Sequence, residues 1–111
     1  MKSLLVDTLK KIYPAYPQGS LAPEEYPATF FTYWNYETIE RFYSNDPVRA
    51  DWGFWVYCYS EDPRILKAAL EEAVKALRGE GFIIADPGTD ADSGKRSHTG
   101  RMITVKYIES Y

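Results

Sequence analysis

One histidine, one cysteine and a scatter of carboxylates are what this 111-residue chain offers for catalysis. General acid–base work by His98 would need a nucleophile or a carboxylate held against it. No recognisable motif surrounds it, and its polar neighbourhood predicts a solvated side chain. Asp90-Ala91-Asp92-Ser93-Gly94 opens like a calcium loop, but an EF-hand requires Gly at the sixth position and Glu at the twelfth. Lys95 and Arg101 stand at those positions, so no metal site is expected. Gly79-Glu80-Gly81 follows a helical pattern instead of leading into one, which is the wrong order for cradling phosphate. The adjacent carboxylates of Glu24-Glu25 and Glu71-Glu72 point in different directions and make poor acid–base pairs. Cys58 has no second cysteine to pair with and lies in an apolar run, so a buried, inert thiol is expected. Neither catalytic residues nor a cofactor are expected. An enzyme would require His98 or Asp51 to meet partners brought together only by the fold.

Charge narrows the partners further. The formal net charge is −3 and the pI about 5.1, whereas phosphate neutralisation needs a surplus of Lys and Arg. Nucleic acid is therefore not an expected partner. A local cluster, Lys95, Arg96, His98 and Arg101, follows the acidic Asp86, Asp90 and Asp92. Two readings stand: a self-compensating flexible loop over 86–100, or a charge-split segment that orders against a neighbouring subunit. Loops of that length within a small domain are uncommon unless they are functional or disordered.

The unusual feature is aromatic. Aromatic residues make up 16% of the chain, ten of them Tyr, and Tyr and Trp are the residues that interfaces favour. They concentrate in Pro27–Asn35 and Ala50–Ser60, two runs rich in aromatic and β-branched residues that suit a pleated, half-buried surface. Phe30, Trp34, Trp52, Phe54 and Val56 are expected beneath a helix. The opposite parity, Phe31, Tyr33, Trp55, Tyr57 and Tyr59, is expected to meet a second layer or a partner.

These rings are positioned by a simple series of elements. Ser3 caps a helix over 1–13 whose apolar stripe is Leu4, Leu5, Leu9 and Ile12, stopped by Pro14. A Pro-rich loop leads to a strand over Ala28–Tyr36. A turn-rich stretch, Thr38–Val48, joins it to a strand over Arg49–Tyr59. Asp62-Pro63 caps a helix with Ile65, Leu66, Ala69, Leu70, Ala73, Val74 and Leu77 on one face. Phe82–Ala85 and Met102–Ile108 are the last strands. The expectation is a single α+β domain over 1–111, ordered α-β-β-α-β-β. A mainly antiparallel sheet of about four strands carries the long helix across one face. No apolar run approaches the ~18 residues of a membrane span or forms a signal peptide, so a cytoplasmic protein is expected.

The chain resembles the small tail-terminator, or tail-completion, and head–tail joining proteins of long-tailed bacteriophages and prophages. The resemblance lies in layout over nearly the whole chain: an N-terminal amphipathic helix, then Tyr26-Pro27-Ala28-Thr29-Phe30-Phe31-Thr32-Tyr33. Ala50-Asp51-Trp52-Gly53-Phe54-Trp55-Val56-Tyr57 comes next, followed by Ser60-Glu61-Asp62-Pro63 with its helix and a loop-separated strand pair. It implies a non-enzymatic protein that forms a homo-oligomeric ring, typically of six copies. Such a ring caps the tail tube and docks the head connector, first in the host cytoplasm and then in the virion neck. Trp34, Trp55, Tyr57, Lys95, Arg96 and Arg101 are the residues expected at subunit or partner contacts. The alternative is a small ligand-binding domain whose exposed Trp and Tyr stack on a sugar or nucleobase.

Overall fold

A computed structural model describes residues 2–91 and 97–110. Helix α1 (Lys2–Lys10) buries Leu5, Thr8 and Leu9. It ends three residues earlier than its pattern suggested, where the Leu9 carbonyl accepts from the Ile12 and Tyr13 amides. The next segment was expected to be loop, yet Ala15–Pro17 forms an edge strand, β1, parallel to β2 (Thr29–Tyr43). The Phe31 amide donates to the Pro14 carbonyl, and the Gln18 amide to that of Tyr33. Prolines are tolerated here because an edge strand leaves the missing donors facing away from the ladder.

β2 and β3 (Asp46–Ser60) form one hairpin of two 15-residue strands. The stretch Thr38–Val48, expected to be turn, is strand apart from Ser44 and Asn45. Both have positive φ, 51° and 68°, as a two-residue type I′ turn requires, and Asn tolerates that conformation. Fifteen residues at ~3.3 Å each span ~50 Å, close to the 53 Å long axis of the whole molecule.

Asp62 caps α2 (Pro63–Gly79), its carboxylate accepting from the Arg64 amide at 2.8 Å. The helix closes in a Schellman arrangement: Phe82 N–H donates to Leu77 O, Gly81 N–H to Arg78 O, and Gly81 sits at φ 93°. β4 (Ile83–Ala91) then pairs antiparallel with β5 (Thr99–Ser110), through Ala91 opposite Gly100. The 86–100 segment, expected to be a flexible loop, is therefore strand up to Ala91. The expected contact residues Lys95 and Arg96, with Asp92, lie outside the described residues.

The α+β class holds, but the sheet has five strands, ordered β1-β2-β3-β5-β4, and is mixed because β1 runs parallel to its neighbour. Both helices cover one face. Phe31, Tyr33, Phe54, Val56, Cys58, Ile103 and Val105 pack against Leu5, Leu9, Leu66, Leu70, Ala73 and Leu77. On β3 the expected parity is right. On β2 it is inverted: Phe31 and Tyr33 face the helices, while Phe30 and Trp34 face away. Adjacent aromatics such as Phe30 and Phe31 satisfy either register, and a shift of one residue exchanges the faces. Cys58 is fully buried, and burial pushes its thiol up to about 12. Among the described residues no helix is long and apolar enough to cross a membrane.

The parity assignment has a direct test. Phe31 is 0% exposed and Trp34 53%, so Phe31→Ala should cost about 3–5 kcal/mol in chemical denaturation. Trp34→Ala should cost less than about 1 kcal/mol.

Candidate functional site

The face of the sheet turned away from the helices is the most distinctive surface of the molecule. The register stacks its side chains in rows across three strands: Phe30, Tyr59 and Gly100; Thr32, Tyr57 and Met102; Trp34, Trp55 and Thr104. Each of these rows carries glycine or threonine at one end.

At one end of this face the rings close into a second, smaller core. Tyr26, brought in by the loop before β2, packs on Phe30 at 4.9 Å and stacks on Tyr59 at 6.2 Å. His98 meets Tyr26 edge-on at 5.3 Å. Its expected solvated position is wrong, since it is only 5% exposed. A carbonyl can only accept, so the 2.7 Å contact to the Pro27 oxygen places the ring proton on Nε2. Nδ1 is then left to accept from the Ser97 hydroxyl at 2.9 Å. His98 thus ties the start of β5 to the loop ahead of β2. Burial raises the Tyr59 phenol above its ordinary value, with hydrogen bonds to Gln18 and Thr32 acting in the opposite direction. Thr29 and Ser60, opposite one another at the end of the ladder, share a buried hydroxyl pair at 2.9 Å.

Further along, the face opens. Trp34 and Trp55 sit directly opposite one another and are 53% and 36% exposed. Tyr36 stacks on Trp55 at 4.9 Å and 20°. Tyr36 is the extra residue of a bulge between Asn35 and Glu37. Asn35 holds that bulge by donating to the Glu37 and Gly53 carbonyls, both at 3.2 Å, while accepting from Thr38. Three of the expected contact residues, Trp34, Trp55 and Tyr57, are therefore brought together on one face. Arg101 is not with them. It lies on the helix side, ion-paired to Asp90 at 3.9 Å.

Beyond the bulge the hairpin continues as an arm, past the last pairing of β3 with β5 at Arg49 and Ser110. Arg41 and Arg49 face each other across it, a repulsive pairing by itself. Asp51 bridges them, with both contacts at 3.2 Å. These groups are partly exposed, so each pair contributes at most about 1 kcal/mol; their effect is to hold the arm's side chains in place. The arm leaves Ile39, Phe42, Tyr43 and Val48 in solvent. Sequence reasoning passed over Phe42 and Tyr43 because they fell in a stretch read as turn. Asp51 and His98 occupy opposite ends of the open face, with eight residues of β3, or ~26 Å, between the Asp51 and Tyr59 rows. Among the described residues no group of three His, Cys, Asp or Glu side chains converges as a metal site would require.

Two glycines carry this packing. A Cβ on Gly100 would lie 2.7 Å from the Tyr59 ring and 2.8 Å from the Ala91 carbonyl, and one on Gly53 would lie 2.6 Å from Tyr36. Tyr59 is buried and cannot yield, whereas Tyr36 is half-exposed and can swing away. Gly100→Ala should therefore destabilise the fold by about 1–3 kcal/mol. Gly53→Ala should cost less, and should instead change tryptophan emission as Tyr36 leaves Trp55. Equal denaturation midpoints for the two variants would contradict this account. No family model matches the chain, and no curated protein matches it.

Proposed function

We propose that this chain is a structural assembly protein of the tail-terminator type. It forms a homo-oligomeric ring and has no chemistry of its own. In this reading the ring caps a phage or prophage tail tube and presents a surface to the head connector. The observation that carries the reading is the continuity of two unburied surfaces, the Trp34–Trp55 region of the open face and the arm with Phe42 and Tyr43. A small domain that already buries its core under two helices gains nothing from such surfaces unless a partner covers them. Their placement fits ring formation, in which one patch of a subunit meets a different patch of the next. The order of the larger elements also agrees with the layout that the resemblance implies, with β1 added.

The stacking of Tyr36 on Trp55 also favours the second reading, a platform for a sugar or nucleobase. Ligand sites of that kind are concave. The 780 Å3 groove described below is walled by other residues, none of them among Trp34, Trp55 and Tyr57.

Native mass spectrometry and light scattering across a wide concentration range separate the two. Assembly predicts a discrete multiple of the 12.8 kDa chain that grows with concentration. A Trp55→Ser substitution should weaken it at least tenfold, corresponding to about 1.4 kcal/mol, with the circular dichroism spectrum unchanged. A chain that stays monomeric throughout, with its tryptophan emission quenched saturably by a small sugar or nucleoside, would establish the second reading instead.

A further inference from the structure

On the helix side of the sheet, a groove of 780 Å3 runs along one flank of α2 to the paired ends of β4 and β5. Leu66, Leu70 and Val74 give it an apolar wall. Its rim holds four cations, Lys67, Lys75, Arg78 and Arg101, against two carboxylates, Glu71 and Asp90. In a chain of net charge −3, this is a locally positive surface. A drug-sized molecule fills a volume of this order, and the side chains of Phe42 and Tyr43 together are smaller than that.

The arm has the complementary character. From Glu37 to Asp51 it carries four carboxylates, Glu37, Glu40, Asp46 and Asp51, against two guanidinium groups, Arg41 and Arg49, and both of those are engaged by Asp51. Phe42 and Tyr43 at its tip are 60% and 75% exposed. The arm cannot serve its own groove. β5 reaches the groove at Thr99–Arg101 and the base of the arm at Ser110. Nine residues of extended strand, ~30 Å, separate Arg101 from Ser110.

Extension of the sheet itself is the less suitable route to association. The free edge of β2 is broken by the Tyr36 bulge at Asn35/Glu37 and carries Glu37, Glu40 and Arg41, while a second register shift at Arg41/Phe42 leaves Val48 of β3 as the extra residue. The other edge strand, β4, contains Pro87 and has register shifts after Ile84 and Asp86. Such features are how sheet edges avoid pairing with another chain.

We infer that the α2–β5 groove receives the Phe42–Tyr43 hairpin tip of a second copy of this chain, with the acidic arm lying along the groove's basic rim. The contact is head-to-tail and leaves a free arm and a free groove at the ends of any open chain of copies, so it propagates until a ring closes. The inference rests on the assembly reading and names the surfaces that this reading needs.

Crosslinking between two variants, each with one added cysteine, tests it. Tyr43→Cys in one copy is mixed with Glu71→Cys in another, and a short bismaleimide is added. Cys58 is buried in both and contributes no background. A disulfide-independent dimer that forms in the mixture, and not with either variant alone, is the expected result. Reversing the rim with Lys67→Glu and Arg78→Glu should cut its yield at least tenfold. Adding Glu37→Lys and Glu40→Lys on the arm-bearing copy should restore much of it. If the reversed rim fails to fold, the mixture with the natural rim still decides. Assembly seen by native mass spectrometry without the 43–71 crosslink overturns the arm-in-groove contact and leaves the assembly reading standing. Absence of both crosslink and assembly overturns the two together.

Discussion

β3 is paired along both edges: with β2 from the turn to Thr29, and with β5 from Arg49 to Ser60. Which side chains stand on each face depends on the register of those two ladders. They set Phe54, Val56 and Cys58 against the helices, and by the same alternation they set Trp55, Tyr57 and Tyr59 on the open face. A slip of one residue would exchange the two sets, placing an exposed tryptophan in the core and a fully buried phenylalanine in solvent. The cost of that exchange is what makes the register unique. Gly100 opposite Tyr59 adds a steric key, since that buried ring fits only over a residue lacking a side chain.

The helix side and the open side are built on different principles. Beneath α1 and α2 the packing is continuous, with aliphatic side chains of the helices laid on Phe31, Tyr33, Phe54 and their neighbours. The open face instead uses edge-on and stacked rings held from above by a loop. His98 is the clasp of that smaller core, joining residues 71 positions apart in sequence through one hydrogen bond to Pro27. Such a patch is closed at one end and open at the other. The closed end supplies rigidity at low conformational cost, and the open end presents Trp34 and Trp55 on a surface that is already ordered. Preorganised aromatic surfaces of this kind lose little entropy when a partner covers them.

Much of this architecture was legible from local signals. α2 announced itself through Asp62-Pro63, an apolar period of 3.6 and Gly81, each of which acts within a few residues of itself. The strands at Thr29–Tyr36 and Arg49–Tyr59 followed from composition. Parity on β2 did not, because Phe30-Phe31 and Tyr33-Trp34 put rings at both phases. β1 is three residues within a Pro-rich segment, and its pairing is non-local. The outer half of β4 was hidden by Asp86-Pro87-Gly88, which read as loop until a partner strand supplied the hydrogen bonds. The arm was lost because Ser44-Asn45-Asp46-Pro47 spreads turn signals over four residues while the turn itself uses two. Of the candidate site, Trp34, Trp55 and Tyr57 were recognised in advance. His98 was misplaced because nothing near it in sequence foretells a carbonyl contributed by Pro27.

By adding one residue to β2, the bulge at Tyr36 shifts the sequence parity of everything from Glu37 onward, so that odd-numbered Arg41 lands on the same side as Asp51 and odd-numbered Ile39 on the side of Trp34. The body of the sheet, up to Asn35, is indifferent to this offset. Because Tyr36 is the unpaired position, its loss would leave Glu37 opposite Gly53 and every pair of the arm in register, and would remove only the ring that stacks on Trp55.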